Sequence, residues 1–422
     1  MADKKFHIKH IEIWILLFVA AVVVAVIFFV RGCQGMNEDY KPGYYIINPV
    51  EKKDIPYYAY DYTLQVYLDG SSKDIQNRRD EIADKYSNAL SSIYAYLDES
   101  TTYNDYVSIG YINKHVNEIV TVSEATYKIL EDAYQKTLSS TNYSIFAAPI
   151  YDFYDTQSYQ DEDTIIRNDP MYNDYNKIML ASIATYITDR NNIDLAFFDN
   201  YQIKLSISDT YKAYLTDNEI DLYMSLNVLK RAYIMDYVLT QLDLAGVTNG
   251  AFASNYGTTI QLKNSNAVRP YYLYNIGKDE EDIPVIENVA NVNVRSVPNS
   301  QVAFRRYKLN AREDENYIFN VDGVYHYRSQ YVNISTGLEE EIVSSIIIYS
   351  FDYKIIDSAY LNNELVPLKS KEEILTYLTN HNKLSTLLAF NLFSEAKTTY
   401  ILSSMKDYVS KIEGCNVVII DA

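Results

Sequence analysis

Glycine is scarce in this chain, at 12 of 422 residues, against a typical ~7%. That argues against any architecture that leans on glycine for close approach of backbone to a ligand. Cysteine occurs twice, as Cys33 and Cys415, so no disulfide framework is available and stability has to come from packing. Beyond the first ten residues there is no basic run, and the net charge is −19. A phosphate backbone would meet repulsion rather than release counterions, which excludes nucleic acid as an expected partner. The P-loop, HExxH, CxxC and GxSxG patterns are all missing, and four common enzyme classes lose their sequence warrant with them.

What the chain does contain begins with one long hydrophobic run. Ile13 to Val30 carries no charge and is just long enough to span a bilayer as a helix. Lys4, Lys5 and Lys9 precede it and only Arg31 follows closely, so the positive-inside rule places the N-terminus in the cytoplasm. The apolar core exceeds a usual signal-peptide h-region and no A-x-A-like cleavage site follows, which favours an uncleaved anchor. A lipoprotein is the alternative, because Cys33 follows Val30-Arg31-Gly32. Four regions are expected: a cytoplasmic segment at 1–10, a transmembrane anchor at 11–30, a spacer at 31–58 and an extracytoplasmic domain at 59–422. Pro42, Gly43, Pro49 and Pro56 interrupt the spacer.

Within the domain, period-two alternation over Tyr60 to Leu68 predicts a strand ending at Asp69-Gly70. Ile75, Ile82, Tyr86, Leu90, Ile93 and Leu97 recur at helical spacing and predict a helix over 74–97. Ser123 is a good N-cap for a second helix carrying Tyr127, Leu130 and Tyr134 on one face. Asp221 to Leu242 reads as mostly helical, Val343 to Tyr349 as a strand, and Ser370 with Glu373 as a capping box. Val417 to Ile420 is an apolar run short enough only for a buried strand. Strands and helices mix without a regular βαβ beat, so the fold class is α+β. His115, His326 and His381 lie far apart and read as structural or surface residues. The acidic pairs Asp98-Glu99, Asp161 to Asp163 and Glu339 to Glu341 read as solvated loops. Tyrosine, 44 residues, is spread along the chain and its abundance has no explanation in the sequence.

Several short segments, taken in order, form a series. Ile112-Asn113 precedes Val120-Thr121-Val122-Ser123; Tyr143 to Ile150 includes Pro149 and is followed by Tyr154. Asp221-Leu222 precedes Arg231-Ala232-Tyr233-Ile234-Met235-Asp236; then come Gly257, Asn333-Ile334-Ser335-Thr336-Gly337 after Gln330, and Asp357. From about Tyr60 to Ala422 this series resembles the ApbE family of FAD:protein FMN transferases. Pro149 stands in that family's F-D-P-T-V-G-P-L segment, with Tyr154 at its usual Trp. Arg231 replaces the Lys and Ala232 the Gly of D-L-G-G-I-A-K-G-Y-A-V-D, which Asp236 ends. Gly257 remains of a Gly-Gly pair, Asn333, Thr336 and Gly337 stand at D-P-x-T-G, and Gln330 stands at a His. Asp357 matches the Asp of a magnesium motif D-x-x-x-T whose Thr position is Leu361.

The resemblance implies a single α+β domain and a reaction in which FAD is cleaved at its pyrophosphate and FMN is joined to a Thr or Ser hydroxyl of a target protein. Pro149, Tyr154, Arg231, Asp236, Gly257, Asn333, Thr336 and Gly337 would then surround the cofactor. Asp357 would hold magnesium. The departures cluster at this implied site: motif glycines are replaced at Tyr223, Met224, Ala232 and Tyr256, a carboxylate has become Asn333, and a hydroxyl has become Leu361. The favoured expectation is therefore a membrane-surface binding or scaffold module for an unidentified extracytoplasmic protein partner, with transfer reduced or lost. Alternatives are an active magnesium-dependent transferase using FAD, and an unrelated adhesin. If the resemblance is genuine, the segments 143–154, 231–236 and 333–337 meet at one cleft, narrowed by Tyr256 and Leu361, and free FAD binds weakly.

Overall fold

The computed structural model describes residues 40–254, 257–264, 269–278, 280, 283–294, 299–305, 316–350, 355–381, 386–395, 397–402, 409–411 and 413–420. The Ile13 to Val30 run lies outside the described residues, and among those described no helix is long and apolar enough to cross a membrane. The chain divides into a large unit, Tyr44–Tyr67 with Glu81–Ala422, and a small one, Met1–Gly43 with Leu68–Asp80. In the small unit Tyr40 N donates to Ser72 Oγ at 3.0 Å, and the Arg79 guanidinium donates to the Tyr40 hydroxyl at 2.7 Å.

The large unit is built on a nine-stranded sheet. Its strands run in the order Gly43–Ile47, Tyr62–Leu68, Gly250–Ser254, Thr259–Gln261, Asn299–Arg305, Val343–Ser350, Thr386–Leu392, Thr398–Leu402 and Asn416–Ile420. From Tyr62–Leu68 to Thr398–Leu402 neighbours are antiparallel, and the last pair is parallel. The first strand lies inside the stretch expected as a spacer, so the folded domain begins earlier than 59. A 3-10 turn at Tyr57–Tyr60 precedes the second strand and trims two residues from its expected start. The fold class is α+β, as the mixed pattern implies.

Val343–Ser350 is buried at every position, which explains why its sequence is a continuous apolar and serine run rather than an alternation. Ile346 and Ile348 pack with Leu365, Ile374 and Leu378 from the helices Ile355–Leu365 and Lys371–His381. Ile347 and Tyr349, pointing to the opposite face, pack with Leu273 and Val289 of a three-stranded sheet. That sheet is formed by Arg269–Lys278, Pro284–Val294 and Val409–Lys411. Asn416–Ile420, by contrast, is an edge strand with Val418 and Ile419 about two-fifths exposed, not a buried one.

Some of the tyrosines serve as core bulk, while others, Tyr57, Tyr159 and Tyr175 among them, are exposed. Tyr86, Tyr143, Tyr211 and Tyr349 have no exposed surface at all. Large aromatic rings bury much apolar area each.

Helices sit where their caps place them. Ser123 caps Glu124–Ser139 by accepting from Thr126 N at 3.1 Å. Ser370 accepts from Glu373 N at 3.2 Å, while Glu373 Oε2 reaches back to Lys369 N at 2.9 Å rather than to the cap residue's own amide. The long helix spans Ser72–Leu97, two residues earlier than its periodicity predicts. Asp221 to Leu242 is mostly helical as expected, through the 3-10 turn Asn227–Leu229 and the helix Lys230–Leu244, but 221–226 carries no regular element and the helix begins later than the pattern implies.

Candidate functional site

A cleft of about 790 Å3 opens in the large unit. Five chain segments meet there: the stretch Tyr57 to Tyr62, the end of the long helix with the loop after it, the helix Ala148–Gln157 with Tyr159 beyond it, the loop 222–229 with the start of Lys230–Leu244, and Gln330-Tyr331.

The loop after the long helix is organised by Asp98. Its carboxylate accepts from Ser100 N at 3.0 Å, Thr101 N at 2.9 Å and the Tyr103 hydroxyl at 2.7 Å. Burial alone would raise the Asp98 pKa, but the Lys230 charge and these hydrogen bonds outweigh it and hold the carboxyl below its usual range. Glu99 beside it takes Lys230 Nζ at 2.5 Å, and the same ammonium lies 5.1 Å from the centre of the Tyr94 ring. Burial works against the Lys230 charge too, yet Glu99 and Asp98 win and hold its pKa above the ordinary lysine value. Asp98-Glu99 is therefore a buried anchor and its ion partner, not the solvated loop its composition suggests. The same correction applies to Glu341, whose carboxylate pairs with Arg328, itself bound to Asp169 at 2.7 Å with almost no exposed surface.

The loop at 222–229 holds the decisive geometry. Asn113, in the short helix Ile109–Lys114, donates Nδ2 to Met224 O at 2.9 Å and accepts from Met224 N on Oδ1 at 3.0 Å. Ser225 N donates to Ile145 O at 2.9 Å, and Asn227 N to Ser225 Oγ at 2.9 Å. A phosphate cradle needs backbone N–H groups pointing outward and unpaired. Here three amides of the motif loop already have protein acceptors.

The sequence-derived residues fall in several places. Arg231 lines the cleft, and Gln330 lines it with Nε2 donating to Asp155 Oδ1 at 2.9 Å. Pro149 occupies the first turn of Ala148–Gln157 and is buried, one residue from the cleft-lining Ala148. Tyr154, 2% exposed, donates its hydroxyl to Gly337 O at 3.2 Å, so the segments 143–154 and 333–337 do meet. Their junction lies beside the cleft and not in its wall. Asn333, Thr336 and Gly337 form a closed turn: Gly337 N donates to Asn333 O at 2.8 Å and Thr336 Oγ1 to the same oxygen at 3.2 Å. Gly257, at φ +88°, bends the chain between two sheet strands.

Asp236 and Asp357 face a separate polar cluster. Lys136 Nζ lies 3.1 Å from Asp132 and 3.6 Å from Asp357, and Tyr233 donates its hydroxyl to Asp132 at 2.5 Å. Burial, followed by the charges of Asp132 and Asp357, pushes the Asp236 carboxyl up. With a lysine beside Asp357, and no group of three or more His, Cys, Asp or Glu poised to hold a metal among the described residues, the donor set does not fit magnesium. Leu361 does not narrow the cleft; it packs on the core around Val343 and Ile346. Tyr256 lies outside the described residues. Of the histidines, His326 is buried against Tyr172 and Glu341 and His115 stacks on Tyr111, both as structural residues, whereas the side chain of His381 lies outside what is described.

Sequence reasoning passed over Asp61, Asp152, Asp155 and Lys230 and read Glu99 as solvated, yet all five line this cleft beside Asp98 and Arg231. No local pattern marks them, because their meeting depends on tertiary packing.

The fold has clear counterparts. The chain is similar to the ApbE protein of Thermotoga maritima, with a TM-score of 0.54 at 14% identity over 88% of this chain and 97% of that one. Flavin transferase ApbE from Vibrio cholerae gives a TM-score of 0.51 at 12% identity, covering 82% and 95%. The apo flavinyl transferase ApbE of Pseudomonas stutzeri gives 0.50 at 10%, covering 83% and 92%. No protein-family model and no curated protein sequence matches. The chain has an ApbE-like fold, strongly diverged in sequence. A chance match of short fragments does not produce likeness over this much of both chains.

Proposed function

We propose that the chain is a membrane-anchored, extracytoplasmic flavin-transferase-like protein whose flavinyl transfer is reduced or lost. Its cleft serves instead as a binding or scaffold module for a protein partner at the membrane surface. The fold supports the flavin-transferase-like part. The anchor rests on the charge-free run Ile13 to Val30 and the lysines before it.

The observation that carries the loss of transfer is the motif loop. Met224 stands where the family has a glycine, and its N–H and C=O are both bonded to Asn113. With Ser225 N and Asn227 N also committed, the loop offers a pyrophosphate little, and Lys230 is held by Glu99. The committed amides and the lysine beside Asp357 support the reading that neither FAD nor magnesium is held here. No catalytic step is assigned.

The alternative is an active transferase in which Arg231 contacts phosphate and Asp357 holds magnesium. Mass spectrometry of a flavinylation-motif peptide incubated with the protein, FAD and magnesium separates the two. No adduct is expected. A covalent FMN adduct that disappears in Asp357→Ala restores the enzyme.

A further inference from the structure

The cleft wall carries the carboxylates of Asp61, Asp98, Glu99, Asp152 and Asp155 against only two cations, Lys230 and Arg231. One of those cations is already neutralised by Glu99. The acids do not converge on a point, since no group of three is placed to hold a metal among the described residues. They are arrayed along a wall that also carries aromatic rings. Tyr57, Tyr58 and Tyr159 stand on it at 74%, 50% and 69% exposure, far more open than rings that serve a core. Tyr58 packs edge-on against Tyr94, which fixes the ring at the opening. Deeper in the wall is Tyr151, 4% exposed, whose hydroxyl has no hydrogen-bond partner. Asp152 beside it makes no ion pair among the described residues. Partial desolvation and then the like charges of Asp221 and Glu99 push its carboxyl up, so a cation there would relieve a repulsion.

We propose that this cleft binds an extended organic cation, an alkylammonium or guanidinium group, seated on Asp152 and Asp155 with its carbon chain against Tyr57, Tyr58 and Tyr159. Aromatic faces attract such cations, and separated carboxylates suit charges spread along a chain better than a compact metal ion. A volume of about 790 Å3 accommodates a ligand of that length. The inference rests on the reading that the cleft has ceased to be a dinucleotide site. The cation is supplied either by a side chain of a bound polypeptide or by a free polyamine.

The test is calorimetric titration of the full-length chain with spermine, with an acetylated peptide bearing two arginines, and with FAD plus magnesium. Because a net charge of −19 attracts polycations anywhere, Asp152→Asn and Tyr58→Ala are compared with Glu372→Gln, an exposed acid that does not line the cleft. One-to-one binding of spermine or the peptide is expected, weakened about three- to fivefold by each cleft variant and unchanged by the control. The tighter arm identifies the source of the cation. If neither cation saturates by about 1 mM, or if the control weakens binding as much as the cleft variants, the inference is wrong and the loss of flavin transfer is untouched. Tight FAD binding in the third arm, with no cation binding, overturns both.

Discussion

Asn113 and Met224, 111 residues apart, exchange two hydrogen bonds through a side-chain amide, as two residues of an antiparallel ladder would through their backbones. The same Nδ2 also reaches Glu99 O at 3.0 Å. One buried side chain thus ties the motif loop to the loop that presents Glu99 to Lys230, and it fixes both walls of the cleft at once.

Replacing Asn113 by Ala leaves a buried N–H and a buried C=O of Met224 without partners. A loss of about 2–4 kcal/mol is expected from two unsatisfied groups, read as a lower denaturation midpoint with an unchanged slope. A cost below about 0.5 kcal/mol would show that water replaces the side chain.

Gly337 matters for its backbone. Its φ is +71°, and a Cβ would stand 2.8 Å from the carbonyl oxygen of Leu180 in the helix Asp174–Thr188. Gly337→Ala is expected to destabilise the fold by about 1–3 kcal/mol through strain and collision together. Gly323, in the hairpin turn with φ +84° and nothing within 4 Å, is the comparison that isolates strain alone. Equal costs at the two positions would contradict the close approach.

A pH effect is expected at Glu364, 2% exposed on the helix Ile355–Leu365. Burial pushes its carboxyl pKa up, against the opposing hydrogen bonds from Ser140, Thr141 and Asn142; Tyr360 and Tyr377 also face it. A carboxyl raised in the folded state contributes stability below its unfolded pKa and loses it as pH rises through the folded value. Glu364→Gln keeps an acceptor and removes the charge, so its stability relative to the parent should improve from pH 4 to pH 8. Denaturation midpoints across that range decide, and a falling difference would contradict the sign.

Much of the architecture was legible because it is encoded locally. Ser123 and Ser370 announce their helices by capping chemistry, and Val343 to Tyr349 announces a buried strand by its run of β-branched residues. The ApbE-like fold was legible in the order of short segments, though not in any one of them. What failed was tertiary in origin. The helix read from Asp221 starts only at Asn227, because Met224 and Ser225 spend their backbone groups on Asn113 and Ile145. Gly43–Ile47 looks like linker because an edge strand needs only its neighbour's hydrogen bonds. Asp98-Glu99 looks solvated because nothing near it in sequence reveals Lys230, more than a hundred residues away.

Titration of the full-length chain with FAD in magnesium tests the central claim most directly. With the loop amides committed and Lys230 paired to Glu99, a dissociation constant above roughly 100 μM is expected, less than about 5.5 kcal/mol of binding. A low-micromolar constant that requires Arg231 would contradict the account and return the cleft to flavin chemistry.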